Sequence, residues 1–349
     1  MKKIVFLTFL FFLSCANDKK AIVVQYRSSS GMELLTSALF DSIEVIAFHG
    51  EGMPLFGTDV NVAVKNNRYY IADRQLGKIL LFDITGKYLN SVGEMGRGPN
   101  EYLALSDMII EENGDISVYS CPEGVLRTFD SQGALLESVT FPHRSGHFNR
   151  VHGTYYHYYG DGSGLPYQLY ITNNLNQPID SCLTSSMVLN MDDAPFSIFD
   201  NVLLLCTYYD GEVYRFKDGK MDRAYSFDFG PYKVPIEYFQ FGDMFEAFDY
   251  IVPKTIAVKH RFFENQKYAI LHASVGNIEQ KWNRFIYGLL EKTTMVWDWY
   301  YLKNDDFMFQ LKYMDDSNIY FLTYPELIKM EGGIDTEDDV VIMLKCTLK

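Results

Sequence analysis

Apolar and polar positions along this chain fall into short strand-like runs that recur at a near-constant distance. The segment "KILLFDITGKYL" (78–89) aligns without gaps on "VLRTFDSQGALL" (125–136), placing Phe82-Asp83 on Phe129-Asp130 and Gly86 on Gly133. "VYRFKDGKM" puts Phe216 in the same role with a turn one residue shorter, and "LYITNNLNQPI" puts Ile171 there. The anchors 82, 129, 171 and 216 are spaced 47, 42 and 45 residues apart. Eleven residues before each lies a second run: "YYIAD" around Ile71, "ISVYS" around Val118, "YYHYYG" at Gly160 and "VLLLC" near Leu205. Each unit therefore reads as strand, turn, strand, closed by a D-x-x-G-type hairpin.

Two strands recurring at this period, with room for two more, describe a four-stranded antiparallel propeller blade. Helical solenoid repeats are excluded because the units lack a 3.6-residue period. A lone small sheet cannot bury both faces, whereas blades stacked around an axis cover one another. Residues 41–349, 309 in number, would hold nearly seven such units. However, "KVPIEYFQFGDMFEAFDYIV" (233–252) reads as an insertion with a helix begun at Pro235, which favours six blades over seven. The terminal "DVVIMLKCTLK" (339–349) and the early "SIEVIAF" (42–48) are expected to share one blade. Their pairing would close the ring and remove an exposed edge. The predicted fold class is thus an all-β, six-bladed β-propeller, with seven blades as the alternative.

The N-terminus sets the expected address. Lys2 and Lys3 precede an apolar run, Ile4 to Leu13, broken only by Thr8. That run is shorter than the roughly 20 residues a membrane span needs, and it has the layout of a secretory signal. Ser14-Cys15 then resembles a bacterial lipoprotein signal, with Phe12 where an aliphatic residue is usual. The resemblance implies lipidation of Cys15. The expected organisation is a signal over 1–14, a lipidated cysteine and tether over 15–40, and one propeller domain over 41–349. The tether carries a serine-glycine stretch, as flexible linkers do.

Composition narrows the partners. The formal charge is −14, or −16 without the two signal lysines, and such a surface repels nucleic acid. Cys121, Cys182, Cys206 and Cys346 contain no CxxC pair and allow three pairings. Cys206 and Cys346 lie in apolar runs, where cysteine acts as a small hydrophobe.

Three segments carry a wider likeness: "FDITGKYLNSVGEMGRGPNEY" (82–102), "YRFKDGKMDRAYSFDFGPYKVPIEYF" (214–239) and "DDVVIMLKCTLK" (338–349). With the lipoprotein-like start, they resemble the six-bladed β-propeller lipoproteins of Bacteroides and related bacteria, which are distantly similar to NHL-repeat propellers. Asn100 stands where that family usually has glycine, and residues 140–200 match poorly. The resemblance implies the fold and a location in the cell envelope, anchored in the outer membrane on a side left open. It implies no reaction.

The glycine-rich stretch "GEMGRGPNEY" (93–102) is the first candidate for chemistry. It lacks the Gly-Lys-Ser/Thr of a phosphate loop, and Pro99 removes an N–H. In a structural reading, its glycines take positive φ in an inter-blade connection and Arg97 pairs with Glu94 or Glu101. In a functional one, Arg97 projects over a propeller face or channel mouth and binds an anionic ligand group. Arg97, Glu101 and Tyr102 are accordingly the candidate ligand-binding residues.

Other constellations fall short of a site. His143, His147, His152 and His157 have spacings of 4, 5 and 5 that fit no compact zinc motif, and they read as loop or surface histidines. "YYGDGSG" (158–164) is too poor in acids for a calcium loop, and no G-x-S-x-G elbow is present. Asp192-Asp193, Asp305-Asp306 and Asp315-Asp316 are adjacent in sequence, so strand neighbours would face opposite ways. The aromatic "MVWDWYYLKNDDFMF" (295–309) reads as inter-blade packing, with sugar stacking as the alternative. No catalytic residue, metal or cofactor is expected. The expected function is a binding or interaction module that is membrane-anchored through its lipid. Its propeller face would take a glycan, a peptide or an envelope protein. The alternative is a lactonase-, lyase- or hydrolase-like enzyme working at the central channel. Inner strands that bring carboxylates, histidines or asparagines together would keep the enzyme alternative open.

Overall fold

Each D-x-x-G hairpin closes through its first residue, and this local chemistry repeats around the molecule. In the computed structural model, the Asp83 carboxylate accepts from Thr85 N at 2.9 Å and Lys87 N at 3.1 Å. Asp130 accepts from Gln132 N and Ala134 N, both at 2.9 Å. Asn173 does the same for Leu175 N and Gln177 N. The turn's last position then takes positive φ: +87° at both Gly86 and Gly133, and +57° at Asn176. Glycine or asparagine is needed there because other side chains resist that conformation. The anchors just before these turns, Phe82, Phe129 and Ile171, are fully buried, as is Phe216.

The structure describes residues 21–26, 32–36, 38–142, 144–189, 191, 194–217, 219–301, 309–325 and 341–349. Its strands form six antiparallel four-stranded blades, two of which gain an extra parallel strand. Blade 1 comprises Asn61–Lys65, Arg68–Asp73, Lys78–Asp83 and Tyr88–Val92. Blade 2 comprises Asp107–Ile110, Ile116–Ser120, Val125–Phe129 and Leu135–Thr140. Blade 3 is built from His147–Val151, Thr154–Tyr158, Tyr167–Asn173 and Pro178–Thr184. Blade 4 uses Phe196–Phe199, Val202–Cys206, Glu212–Lys217 and Lys220–Asp228. Blade 5 has three ten-residue strands, Thr255–Glu264, Tyr268–Asn277 and Trp282–Glu291, and then Val296–Tyr301. Blade 6 holds Gln310–Met314, Asn318–Thr323, Ile342–Leu348 and, as its outermost strand, Phe40–Ala47.

Ring closure is therefore made by the two chain ends. Ile342 pairs with Ala47, Leu344 with Val45 and Cys346 with Ile43, antiparallel. The N-terminal chain also reaches further round the rim than a tether over 15–40 would suggest. Ile22–Gln25 pairs in parallel with the outer strand of blade 4, and Met32–Glu33 with that of blade 5. Val24 and Leu34 are buried, and Trp299 Nε1 donates to Gln25 O at 3.2 Å. These additions cover two sheet edges that would otherwise present unpaired backbone groups.

The core consists of slabs between neighbouring blades. Phe48, Tyr69, Phe82, Tyr320 and Leu322 join blades 6 and 1; Tyr70, Leu81, Ile116 and Phe129 join 1 and 2. Tyr119, Phe148 and Tyr155 join 2 and 3; Tyr156, Ile171, Leu203 and Phe216 join 3 and 4. Val213, Tyr225, Phe262 and Leu271 join 4 and 5; Tyr287, Leu289, Phe309 and Phe321 join 5 and 6. Edge-on aromatic contacts, such as Phe48 on Tyr69 at 90° and Tyr287 on Phe321 at 81°, fill these spaces. Cys206 and Cys346 sit in two of these slabs, and all four of Cys121, Cys182, Cys206 and Cys346 are free thiols.

Polar ties reinforce one junction. Buried Lys259 of blade 5 reaches the Asp210 carboxylate of blade 4 at 3.0 Å and also donates to Glu212 O. Burial works to raise the Asp210 pKa, but the Lys259 charge and the hydrogen bonds from Thr207, Lys259 and Glu212 N together outweigh it, and the carboxyl sits below its usual value. Between these blades, residues 230–252 contain two 3-10 turns and a single α-helix, Met244–Ile251. Pro235 caps only the second turn. The helix itself begins later, where Asp243 accepts from Phe245 N and Glu246 N.

Candidate binding site

The first strand of each blade faces the axis, and together these strands enclose a cavity of about 580 Å³. That size lies within the range of small-molecule sites, about 300–1,000 Å³. Its lining mixes charge with apolar surface.

On the side of blades 1 to 3, the charges are arranged in closed pairs. Lys65 Nζ donates to Glu112 at 2.7 Å, and this bond with its charge holds the Glu112 carboxyl below its usual pKa. Arg150 donates to Glu111 at 2.5 Å, and Ser117 Oγ donates to the same carboxylate oxygen at 2.8 Å. Burial works against the Arg150 charge, but Glu111 and Tyr155 together override it and raise the pKa. Asp107 accepts from Phe148 N at 2.7 Å, with His147 Nδ1 3.3 Å from its other oxygen.

Blades 4 to 6 line the cavity differently. Ala194, Pro195, Phe196, Ser197, Ile198 and Asn201 carry no charge. Blades 5 and 6 contribute Arg261 and Lys312 beside Phe263, Tyr313 and Met314. Both inner strands are irregular at this level. Pairing shifts between Lys259 and Arg261 in blade 5, and between Leu311 and Tyr313 in blade 6. His260 and Lys312 thus sit at β-bulges, which bend a strand and re-aim its side chains. Arg261 passes the blade 6 strand and donates to Asn61 Oδ1 of blade 1 at 2.8 Å. Both cations are buried, Lys312 at 1% exposure and Arg261 at 8%.

The residues singled out in the sequence lie elsewhere. Arg97, Glu101 and Tyr102 sit in the connection from the outer strand of blade 1 to the inner strand of blade 2, outside the cavity lining. Tyr102 is a buried wedge whose hydroxyl donates to Gly77 O at 2.9 Å. Glu101 accepts from Gly98 N at 2.7 Å, folding its carboxylate inside the loop. Only Gly93 of the three loop glycines has positive φ, +81°. A Cβ at Gly96 would fall 1.8 Å from a Glu101 oxygen, and one at Gly98 2.9 Å from its carboxyl carbon. Those two glycines therefore make room for Glu101 rather than for an unusual backbone. Arg97 is exposed and, among the described residues, makes no ion pair; Glu94 instead has Lys78 at 3.9 Å.

The histidines are also redistributed. His143 lies outside the described residues. His147 and His157 are buried rather than superficial, and His152 occupies an exposed turn at φ +48°. Among the described residues, no group of three His, Cys, Asp or Glu side chains is placed to hold a metal. Cys15 also lies outside the described residues. No described helix is long and apolar enough to cross a membrane.

Sequence reasoning missed the cavity cations. Lys312 stands in "FMFQLKYMDD", a largely apolar strand run interrupted by a cation, and Arg261 in "VKHRFFE", where three basic residues precede two phenylalanines. A charge at an inward position of an inner strand was the available signal, but it required knowing which strand faced the axis.

Fold and cavity together define a six-bladed β-propeller with a polar axial chamber. The chain belongs to the family described as a domain of unknown function, DUF4934, whose model matches residues 20–344. No curated protein matches it in sequence. In structure it is similar to a Bacteroides fragilis protein named as exported, with a TM-score of 0.76 at 14% identity. That match covers 95% of this chain and all of the other. It is also similar to a DUF4221 family member from Bacteroides vulgatus, with a TM-score of 0.59 at 10% identity over 88% of this chain and 97% of that one. A virginiamycin B lyase from Staphylococcus aureus follows at a TM-score of 0.43 and 9% identity, covering 88% and 99% of the two chains, too loose a likeness to bear on function.

Proposed function

We propose that this protein is an envelope-anchored binding module whose ligand enters the axial chamber. The chamber itself carries this reading: it has the volume of a small-molecule site and is lined by the inner strands of all six blades. Its carboxylates Asp107, Glu111 and Glu112 are each already engaged by a backbone N–H or a cation. That engagement suits a recognition surface better than acid-base catalysis, which needs a carboxyl free to exchange its proton.

A thermal-shift screen with oligosaccharides, short peptides and small organic acids tests the reading. A binder should raise the melting temperature with concentration. Ile198→Trp, which puts bulk into the chamber from a half-exposed position, should abolish the shift. A shift that survives this substitution would place the ligand elsewhere. Anchoring through Cys15 is supported by the "FLSC" start. Mass spectrometry of the mature N-terminus should find an acylated cysteine, and an unmodified one would refute the anchor.

A further inference from the structure

We infer that the axial chamber recognises an organic anion, and that Arg261 and Lys312 hold its charged end. This rests on the chamber being the binding site and goes further by naming the ligand's chemistry and its orientation.

The charge distribution carries the inference. In a chain of net charge −14, the acidic residues of the chamber wall, Asp107, Glu111 and Glu112, all belong to blade 2. Each is held from a flanking blade, by Phe148 N and Arg150 of blade 3 and by Lys65 of blade 1. The opposite wall, from blades 4 to 6, carries only cations among its described charged residues, Arg261 and Lys312. Two neighbouring inner strands break register to present them. The inner strand pairs of blades 1 to 4 keep their register, so the shifts in blades 5 and 6 are a local departure, of the kind found beside functional sites.

Burial gives these charges reach. Both cations lie within electrostatic reach of one buried imidazole, so an anion beside them would be attracted by both charges. Their combined effect extends to His272 on the next strand of blade 5. Burial, His260, Arg261 and Lys312 there together lower the imidazole pKa well below 6.5. Arg261 is already fixed across the axis by Asn61 Oδ1 at 2.8 Å. Its planar guanidinium is therefore pre-oriented, and such a fork matches the paired oxygens of a carboxylate or phosphate.

The remainder of the wall suggests the rest of the ligand. Phe196, Ile198, Phe263, Tyr313 and Met314 border the cations, so an apolar or aromatic body attached to the anionic group would be covered. Inorganic ions alone would leave this surface unused. The class is an aryl or alkyl carboxylate or phosphate monoester.

Matched probes test this directly. Phenylacetate, phenyl phosphate and hexanoate are titrated against the protein by calorimetry, beside phenylacetamide and hexanamide. At least one anion should bind, and its neutral amide should bind about tenfold or more weakly, the range of a lost charged hydrogen bond. A carboxylate-only or phosphate-only response identifies which anion the fork accepts. Arg261→Gln and Lys312→Met should each remove the preference, while Arg97→Ala should leave it intact. Should both core variants misfold, the preference of the wild-type protein for anion over amide still decides the matter. Equal binding of amide and anion, lost in Ile198→Trp, would overturn the anion assignment and leave the chamber as the site. An anion preference that persists in Ile198→Trp would overturn both. No binding by any of the three anions would also overturn the inference.

Discussion

His272 shows how one buried side chain ties the stability of the molecule to pH. Its ring stacks flat on Tyr287, with centroids 4.8 Å apart and planes 3° from parallel, and lies 5.0 Å from His260 and 5.3 Å from Phe285. Burial lowers its pKa well below 6.5, and His260, Arg261 and Lys312 lower it further. In the folded protein the imidazole therefore stays neutral at pH values where the unfolded chain would protonate it. The unfolded state then binds more protons, so stability is complete above about pH 6.5 and declines as pH falls below it. The slope from this group alone is about 1.4 kcal/mol per pH unit, until the native pKa is reached. Denaturant melts at pH 7.5 and 5.5 should show a loss of about 1 kcal/mol that His272→Gln removes. Equal losses in both proteins would show that other groups govern the acid limb.

The hairpins closing blades 1 to 3 explain both what the sequence revealed and what it hid. The F-D-x-x-G pattern was legible because two residues have fixed physical tasks: the aspartate accepts the turn's N–H groups, and the glycine takes φ +87°. Gly86 and Gly133 share that dihedral but not their surroundings. A Cβ at Gly86 would lie 2.5 Å from Ala47 O, whereas at Gly133 nothing lies within 4 Å. Gly133→Ala should thus cost only the left-handed penalty, about 1–2 kcal/mol. Gly86→Ala should cost clearly more, since backbone must also move. Equal losses in urea melts would mean that the close approach at Ala47 relaxes freely. The repeat stops being readable after Phe216. Residues 230–252 intervene, and blade 5 then uses ten-residue strands, so the 45-residue period no longer holds. The chamber was invisible for a related reason. Arg261 and Lys312 lie in blades 5 and 6, beyond that break, and each adjoins a shift in strand register. The glycine-rich loop attracted notice through composition, yet its conspicuous residues serve packing: Tyr102 fills a gap between blades and Glu101 ties its own turn.

At the scale of the whole ring, no blade is independent, because each aromatic slab draws residues from two neighbours. The last blade has no outer strand without residues 40–47, and the chain ends are thus the fastening of a circular stack. The preceding residues play a lesser part. Ile22–Gln25 and Met32–Glu33 extend blades 4 and 5 that already possess four strands. Two truncations separate these tasks. A protein starting at residue 32 loses Val24 from the slab between blades 4 and 5, together with the bond from Trp299 to Gln25. It should still fold and melt in one transition, at a temperature several degrees lower. A protein starting at residue 49 exposes the edge of Ile342–Leu348, with Leu344 and Cys346 among its fully buried residues. An open apolar edge of that kind pairs with other chains, so this truncation should aggregate or bind a hydrophobic dye while the longer one remains monomeric. Calorimetry and light scattering read both outcomes. A monomeric, cooperatively melting protein without residues 40–47 would mean that the ring holds by its slabs alone and that the terminal strand is dispensable.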